Sequence, residues 1–284
     1  RSPTMAAYYA MKIVKELGLP LNKRVRMIIG TDEESEWRCV DHYFEHEEMP
    51  AMGFAPDADF PIIYAEKGIA DYDLVSKAAG IEKEDFDAEV IEFSAGRRYN
   101  MVPDFAKVEL VVQQGQTDVV QRFEEFKRNN ELDGRAVVES GKLILELEGV
   151  SAHGMEPDNG KNAGLLMASF LSEINLDGSS EKFFQFVAKY LGKDSRGREL
   201  GVAYADDITG DLTINVGKLS YSKAKGGRAG LNMRYPVTTD LEKTKGILNQ
   251  VLEAEGLIIE NFSNSNPHHV DESDFLVQTL KKVY

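Results

Sequence analysis

The sequence has little cysteine, a shortage of basic residues and no long apolar run. Its single cysteine, Cys39, excludes an internal disulfide and favours a reducing, cytoplasmic compartment. Acidic residues outnumber lysines and arginines by 48 to 33, which gives a formal net charge of −15. Such a surface offers no counter-charge to nucleic acid or to an anionic membrane, so neither is predicted as a partner. No run reaches membrane-spanning length, and no signal peptide opens the chain.

The length and the apolar content indicate more than one domain. A chain of 284 residues exceeds the usual size of a single domain, and 42% hydrophobic residues are enough to build real cores. There is no low-complexity linker and no repeat of fixed period. The chain begins with Arg1 rather than with methionine. We therefore expect it to be part of a longer protein.

The most informative stretch is an apolar run followed by three acids. Residues 25–29 predict a short buried strand that stops at Gly30, and Asp32, Glu33 and Glu34 follow directly. Ligands bind at this end of the strands in open α/β sheets. Adjacent carboxylates repel each other unless a cation or a shared proton offsets the cost. The pattern therefore predicts one metal ligand and one general base, and a solvated acidic turn is the alternative.

Hydrophobic periodicity separates an α/β segment from an α+β segment. Residues 1–66 alternate helix and strand, whereas strands dominate from about residue 67, with helices on one face of the sheet. The predicted helices span residues 2–17, 36–48, 118–127, 162–174, 182–191, 240–255 and 274–284. The predicted strands span residues 25–29, 69–75, 88–93, 107–112, 143–147, 213–219 and 229–235.

Five short motifs, in the same order, resemble those of the aminoacylase/carboxypeptidase G metallopeptidase family, and within it the bacterial PepV-type dipeptidases. Each motif alone is moderately specific, and together they span nearly the whole chain. In chain order they are Thr31-Asp32-Glu33-Glu34-Ser35, Pro56-Asp57-Ala58-Asp59-Phe60-Pro61, Asn100-Met101-Val102-Pro103, Gly149-Val150-Ser151-Ala152-His153-Gly154 and Asn232-Met233-Arg234.

The resemblance implies a fold, a reaction and a cofactor. The fold is an α/β catalytic domain (phosphorylase/hydrolase-like and partial here) with an inserted α+β lid domain. Residues 1–66 and 267–284 would belong to the catalytic domain, and residues 67–266 to the lid. The reaction is the hydrolysis of dipeptides by a zinc-dependent dipeptidase, which holds two zinc ions, with manganese or cobalt as alternatives. The large lid implies a monomer.

The resemblance also assigns roles to the acidic residues. Glu33 matches the general base that activates a metal-bound water, while Glu34 and Asp57 match ligands to the two metals. Carboxylate and imidazole groups are suitable ligands for zinc. A general base must not itself be coordinated to the metal. The family gives Asp59 no role, and a loop-capping acid is the favoured interpretation.

Three residues of the predicted lid are assigned to the substrate. By resemblance, His153 reaches the scissile carbonyl and stabilises the developing oxyanion. Asn100 and Arg234 would hold the substrate, and a guanidinium suits a bidentate grip on a terminal carboxylate. The alternatives are a structural loop histidine at position 153 and a solvent-facing arginine on a half-exposed strand at position 234.

A second enzymatic interpretation rests on His42-Tyr43-Phe44-Glu45-His46, which fits the H-x-x-E-H pattern of a zinc protease. His42 and His46 would share one face of a helix and could bind zinc. The surrounding acids instead favour a charged, solvated helix end.

The family pattern contains further metal ligands that this sequence lacks. A His-x-Asp strand and a bridging aspartate would precede Arg1, and a further histidine would follow Tyr284. A zinc ion is usually bound by about four ligands, so Glu34 and Asp57 alone cannot hold two ions. We therefore expect the chain on its own to be inactive. A non-catalytic peptide-binding or assembly module is the alternative from a different functional class.

Overall fold

The structure is a computed structural model, and it describes residues 2–32, 37–57, 61–76, 83–113 and 115–284. It divides the chain into two compact units, one formed by Arg1–Tyr64 with Val270–Tyr284 and the other by Ala65–His269. The chain is a mixed α/β protein with a large antiparallel sheet. The assignment of the predicted segments to catalytic and lid domains stays a prediction.

The elements follow the predicted order closely. The helices are α1 (Ser2–Glu16), α2 (Arg38–His46), α3 (Gln116–Asn130), α4 (Ala163–Leu171), α5 (Gly178–Tyr190), α6 (Leu241–Glu255) and α7 (Phe275–Val283). The strands are β1 (Ala65–Glu66), β2 (Gly68–Ser76), β3 (Ala88–Ala95), β4 (Phe105–Val112), β5 (Gly134–Glu139), β6 (Lys142–Glu148), β7 (Ala205–Asp206), β8 (Gly210–Asp211), β9 (Thr213–Ser222), β10 (Gly226–Tyr235), β11 (Leu257–Ser265) and β12 (His268–His269). No helix among the described residues is long and apolar enough to cross a membrane.

The strand predicted over residues 25–29 is wrong. The structure gives these residues no strand, and Val25 and Ile29 are 53% and 69% exposed. A strand needs a neighbour to receive its backbone hydrogen bonds, and no described residue pairs with this run. The described residues of the first unit are therefore helical or irregular, and the α/β pattern predicted for this segment is not present in them.

The first acid of the triplet has a structural role at the start of α2. The Asp32 carboxylate accepts a hydrogen bond of 3.1 Å from the Cys39 backbone N–H, and the Asp32 carbonyl accepts one of 3.3 Å from the Trp37 N–H. Hydrogen bonding by Cys39 lowers the pKa of the Asp32 carboxyl. An ionised acid at this position stabilises the free N–H groups at the helix N-terminus.

The second unit is built on an eight-stranded antiparallel sheet with strand order β11-β2-β10-β9-β3-β4-β6-β5. One face is apolar, and α4 and α5 pack against it. Both helices begin at a side-chain cap, since Asn162 accepts from the Leu165 N–H and Asp177 from the Ser180 N–H. The opposite face is polar in the middle of the sheet, and this side is where the predicted substrate-binding residues lie.

Candidate functional site

The register of three central strands places polar residues side by side. Asn232 of β10 pairs with Asp71 of β2 on one side and with Asn215 of β9 on the other. Residues directly opposite in a sheet point to the same face, and so do residues two apart along a strand. Arg234 therefore lies on this face as well. We call the surface formed by Asp71, Asn215, Asn232 and Arg234 the polar face.

The turn that carries Asn100 is fastened to the polar face. The Asn215 side chain is fully buried, and its Nδ2 donates to the carbonyl oxygens of Tyr99 (2.6 Å) and Met101 (3.1 Å). Gly217 lets the turn approach the sheet, because a Cβ there would overlap the carbonyl oxygens of Arg98 and Tyr99. The turn is thus held at the backbone on both sides of Asn100.

The loop that carries His153 lies directly beside this turn. Met101 and His153 form an antiparallel bridge, and the Gly154 N–H donates to the Asn100 carbonyl over 2.8 Å. The following residues close the loop, since the Glu156 N–H donates to the His153 carbonyl. Arg196 holds Glu156 in turn, with 2.6 Å between its Nη2 and the carboxylate. Backbone hydrogen bonds therefore bring the predicted residues Asn100 and His153 together.

The contacts of His153 define which nitrogen carries its proton. The Met155 backbone N–H donates to the His153 Nδ1 over 3.1 Å. A neutral imidazole that accepts at Nδ1 has its proton on Nε2. Burial lowers the pKa of His153, and the positive charge of Arg234 lowers it further. The side chain is therefore a neutral imidazole near pH 7, with an Nε2–H that can donate to a carbonyl oxygen.

Arg234 is partly buried, and no carboxylate of the described residues lies within 4.0 Å of its guanidinium. Its Nε donates to the Asn232 Oδ1 over 3.3 Å, and the Asn232 Nδ2 donates to the Asp71 Oδ1 over 2.6 Å. Burial lowers the pKa of Arg234, and the charge of Asp71 acts in the opposite direction. A desolvated cation without an ion pair is suited to bind an anionic group.

Of the predicted acidic site residues, the structure describes Asp57. Glu33, Glu34 and Asp59 lie outside the described residues. Asp57 is described and exposed, and it belongs to no described group of three potential metal ligands.

The described group with metal-ligand spacing is His42, Glu45 and His46 on α2, where the ligand atoms lie within 4.8 Å of one another. All three side chains are exposed. The predicted shared helix face of His42 and His46 is present. It offers three donors, one fewer than the usual number for zinc.

Sequence reasoning missed the residues that support the site. The motifs assign no role to Asn215 or to Asn232. A usable signal was present in the strands Thr213-Ile214-Asn215 and Asn232-Met233-Arg234, where polar residues recur at every second position between apolar ones. That alternation indicates a polar face on an otherwise apolar strand.

No protein-family model matches the chain. It is 45% identical over all 284 residues to "Putative dipeptidase" of Staphylococcus epidermidis and 48% identical to "Putative dipeptidase YtjP" of Bacillus subtilis. It covers 61% and 60% of these two relatives.

A search of solved structures found aminoacylhistidine dipeptidase from Vibrio alginolyticus, at 13% identity and a TM-score of 0.34. The match covers 76% of this chain and 47% of that one. At this level of similarity it carries no conclusion about the fold.

The curated relatives match the chain from end to end, which establishes common descent for this portion of them. The chain spans about three fifths of their length, so the activity of a complete protein is a separate question. Over this portion the chain is similar to proteins named putative dipeptidases, in agreement with the resemblance that its motifs predict.

Proposed function

We propose that the full-length protein containing this chain is a metal-dependent dipeptidase that hydrolyses the peptide bond of dipeptides. The observation that carries the proposal is the partly buried guanidinium of Arg234, which has no ion-pair partner among the described residues. Its positive charge lowers the pKa of His153, which is neutral near pH 7. Descent shared with dipeptidase-named relatives supports the same function.

Each residue on the substrate side has a separate task in this proposal. Arg234 binds the terminal carboxylate of the dipeptide by charge-assisted hydrogen bonds. The Nε2–H of His153 donates to the scissile carbonyl oxygen, where negative charge develops. The Asn100 amide holds the substrate beside it. Glu33 takes the proton of the attacking water as general base.

The metal dependence of the proposal rests on the resemblance. Zinc, when bound, would supply a water of lowered pKa. Glu34 and Asp57 are the proposed ligands, and the family pattern assigns the others to segments outside this sequence. Because Asp57 joins no described group of three donors, the described residues by themselves do not form a zinc site there.

Replacing Glu33 by glutamine in the full-length protein tests the catalytic role. Loss of the general base should lower kcat by about 10²- to 10⁴-fold, measured as dipeptide hydrolysis with added zinc or manganese. Glu45→Gln is the matched control, because it makes the same change in the H-x-x-E-H pattern on α2. It should retain activity within about twofold, since surface changes have small effects.

The opposite pattern identifies the alternatives. Loss of activity in Glu45→Gln but not in Glu33→Gln would assign the chemistry to His42 and His46. Calorimetric binding of a dipeptide without turnover by the unaltered full-length protein would favour the peptide-binding module.

Removal of the metal by a chelator should abolish hydrolysis, and added zinc should restore it. Activity that survives chelation would contradict metal dependence.

A further inference from the structure

The polar face contains a short chain of side-chain contacts that ends at Arg234. Asn232 is 1% exposed, and its Nδ2 donates to the Asp71 Oδ1 over 2.6 Å. An ionised carboxylate only accepts hydrogen bonds, so this contact fixes which end of the Asn232 amide is the NH₂ group. The Oδ1 of Asn232 is thereby directed towards the Arg234 Nε, at 3.3 Å.

This contact leaves one edge of the guanidinium for a ligand. A guanidinium has five N–H donors in a fixed plane, and the described hydrogen bond of Arg234 uses the one on Nε. A carboxylate can bind side-on through Nε and one Nη, or end-on through both Nη atoms. With Nε engaged by Asn232, the four N–H groups of Nη1 and Nη2 remain for end-on binding.

The neutrality of Asn232 matters as much as its position. A carboxylate at position 232 would form an ion pair with Arg234 and compete with an anionic substrate. The amide orients the guanidinium without neutralising it. The nearest acid in the chain of contacts, Asp71, is hydrogen-bonded to Asn232 and acts on Arg234 by its charge alone.

We infer that Asn232, anchored by Asp71, is a positioning residue that fixes the Arg234 guanidinium for end-on binding of a substrate carboxylate. The inference rests on the proposed function, because it assigns the carboxylate to a dipeptide. It goes beyond that function by making the preference for a free carboxyl terminus depend on two residues that do not contact the substrate.

The test compares a dipeptide with its C-terminal amide in the full-length protein. Asn232→Ala should raise KM for the free acid by about tenfold, the effect of losing one charge-assisted hydrogen bond, and should change kcat/KM for the amide by less than about twofold. Arg234→Met should abolish the preference for the acid. Thr213→Val is the control, because Thr213 of β9 pairs directly with Arg234 of β10 and its hydroxyl has no described hydrogen-bond partner.

A second readout does not depend on activity. In the 284-residue chain, the Arg234 Nε–H should give a slowly exchanging NMR signal, assigned by its absence in Arg234→Met. The signal should exchange rapidly in Asn232→Ala and in Asp71→Leu, and persist in Asp71→Asn, which keeps an acceptor oxygen.

Outcomes for the inference and for the proposed function are separable. If the unaltered protein hydrolyses neither peptide, the proposed function fails. If it prefers the acid but Asn232→Ala weakens acid and amide equally, or leaves the Nε–H signal protected, Asn232 does not position Arg234 and the inference is overturned. An equal loss in Thr213→Val would likewise assign the effect to packing.

Discussion

The imidazole of His153 and the guanidinium of Arg234 are electrostatically linked. Burial is the larger cause of the lowered His153 pKa, and the Arg234 charge adds to it. The hydrogen bond from the Met155 N–H to Nδ1 favours the same neutral form. A carboxylate bound by Arg234 would offset part of the positive charge, so substrate binding would make His153 easier to protonate.

Substitution of Arg234 by methionine should therefore raise the pKa of His153 in the 284-residue chain. The unaltered residue should titrate below the ordinary histidine value of 6.5, followed by the NMR shift of its ring carbon. Because the folded pKa is depressed, the associated stability is present above the unfolded pKa and is lost as pH falls through the folded one. Arg228→Met is the control, since Arg228 lies on the same strand and pairs with Asp73 and Glu260. An unchanged titration in Arg234→Met would mean that the Arg234 charge does not contribute to the lowered pKa of His153.

Short motifs were sufficient to name Asn100, His153 and Arg234, because each stands in a recognisable local pattern. They could not reveal Asn215, whose contacts with Tyr99 and Met101 join residues more than a hundred positions apart. Such a contact depends on the pairing of β9 with its neighbours and on the glycine that admits the turn. The roles of Glu33 and Glu34 stay predictions.

At the scale of elements, the sheet was predictable where its two faces differ in polarity. The missed strands β5 and β11 are the two edges of the sheet, where side chains are half-exposed and the alternation is weaker. The error at residues 25–29 has the opposite cause. An apolar run satisfies the pattern of a buried strand, yet a strand forms only where another strand receives its hydrogen bonds.

The small β7–β8 hairpin is tied to the end of β10 by one carboxylate. Asp206 accepts hydrogen bonds from the backbone N–H groups and hydroxyls of Thr209 and Thr238. Burial acts to raise the pKa of Asp206, but the hydrogen bonds from Thr209 and Thr238 outweigh it and hold the pKa at about 2. The ionised carboxylate therefore fastens the chain that follows Arg234.

Asp206→Asn should lower the thermal stability of the 284-residue chain at pH 7. A carboxyl with a depressed folded pKa stabilises the fold above its unfolded value of 3.8, and this contribution is lost as pH falls towards 2. The difference in Tm between the variant and the unaltered chain should therefore shrink from pH 5 to pH 2. Asp207→Asn, at the exposed neighbouring position, should leave Tm unchanged. A difference that stays constant with pH would contradict the ionic role.

At the scale of the whole molecule, the hydrophobic core belongs to one unit. Among the described residues, the buried apolar side chains lie between Ala70 and Leu257, with Val277 as the exception. The two ends of this unit also lie next to each other, because β1 pairs with β12. Ala65 lies opposite His269, and Glu66 lies opposite His268. A segment with its own core and adjacent ends has the properties of an independently folding insertion.

Residues 65–269 expressed alone should therefore fold cooperatively, with a Tm within about 5 °C of that of the 284-residue chain. Calorimetry gives the transition, and near-UV circular dichroism reports whether the tyrosine packing is native. Phe93→Ala in this fragment is the positive control for the core, because Phe93 is 1% exposed and packs edge-to-face on Phe184. This substitution should lower the free energy of unfolding by about 3–5 kcal/mol. A fragment with a broad transition and no near-UV signal would show that its core needs the first unit. A native fragment would mean that the polar face, with Asn215, Asn232 and Arg234 in place, is formed by residues 65–269 alone.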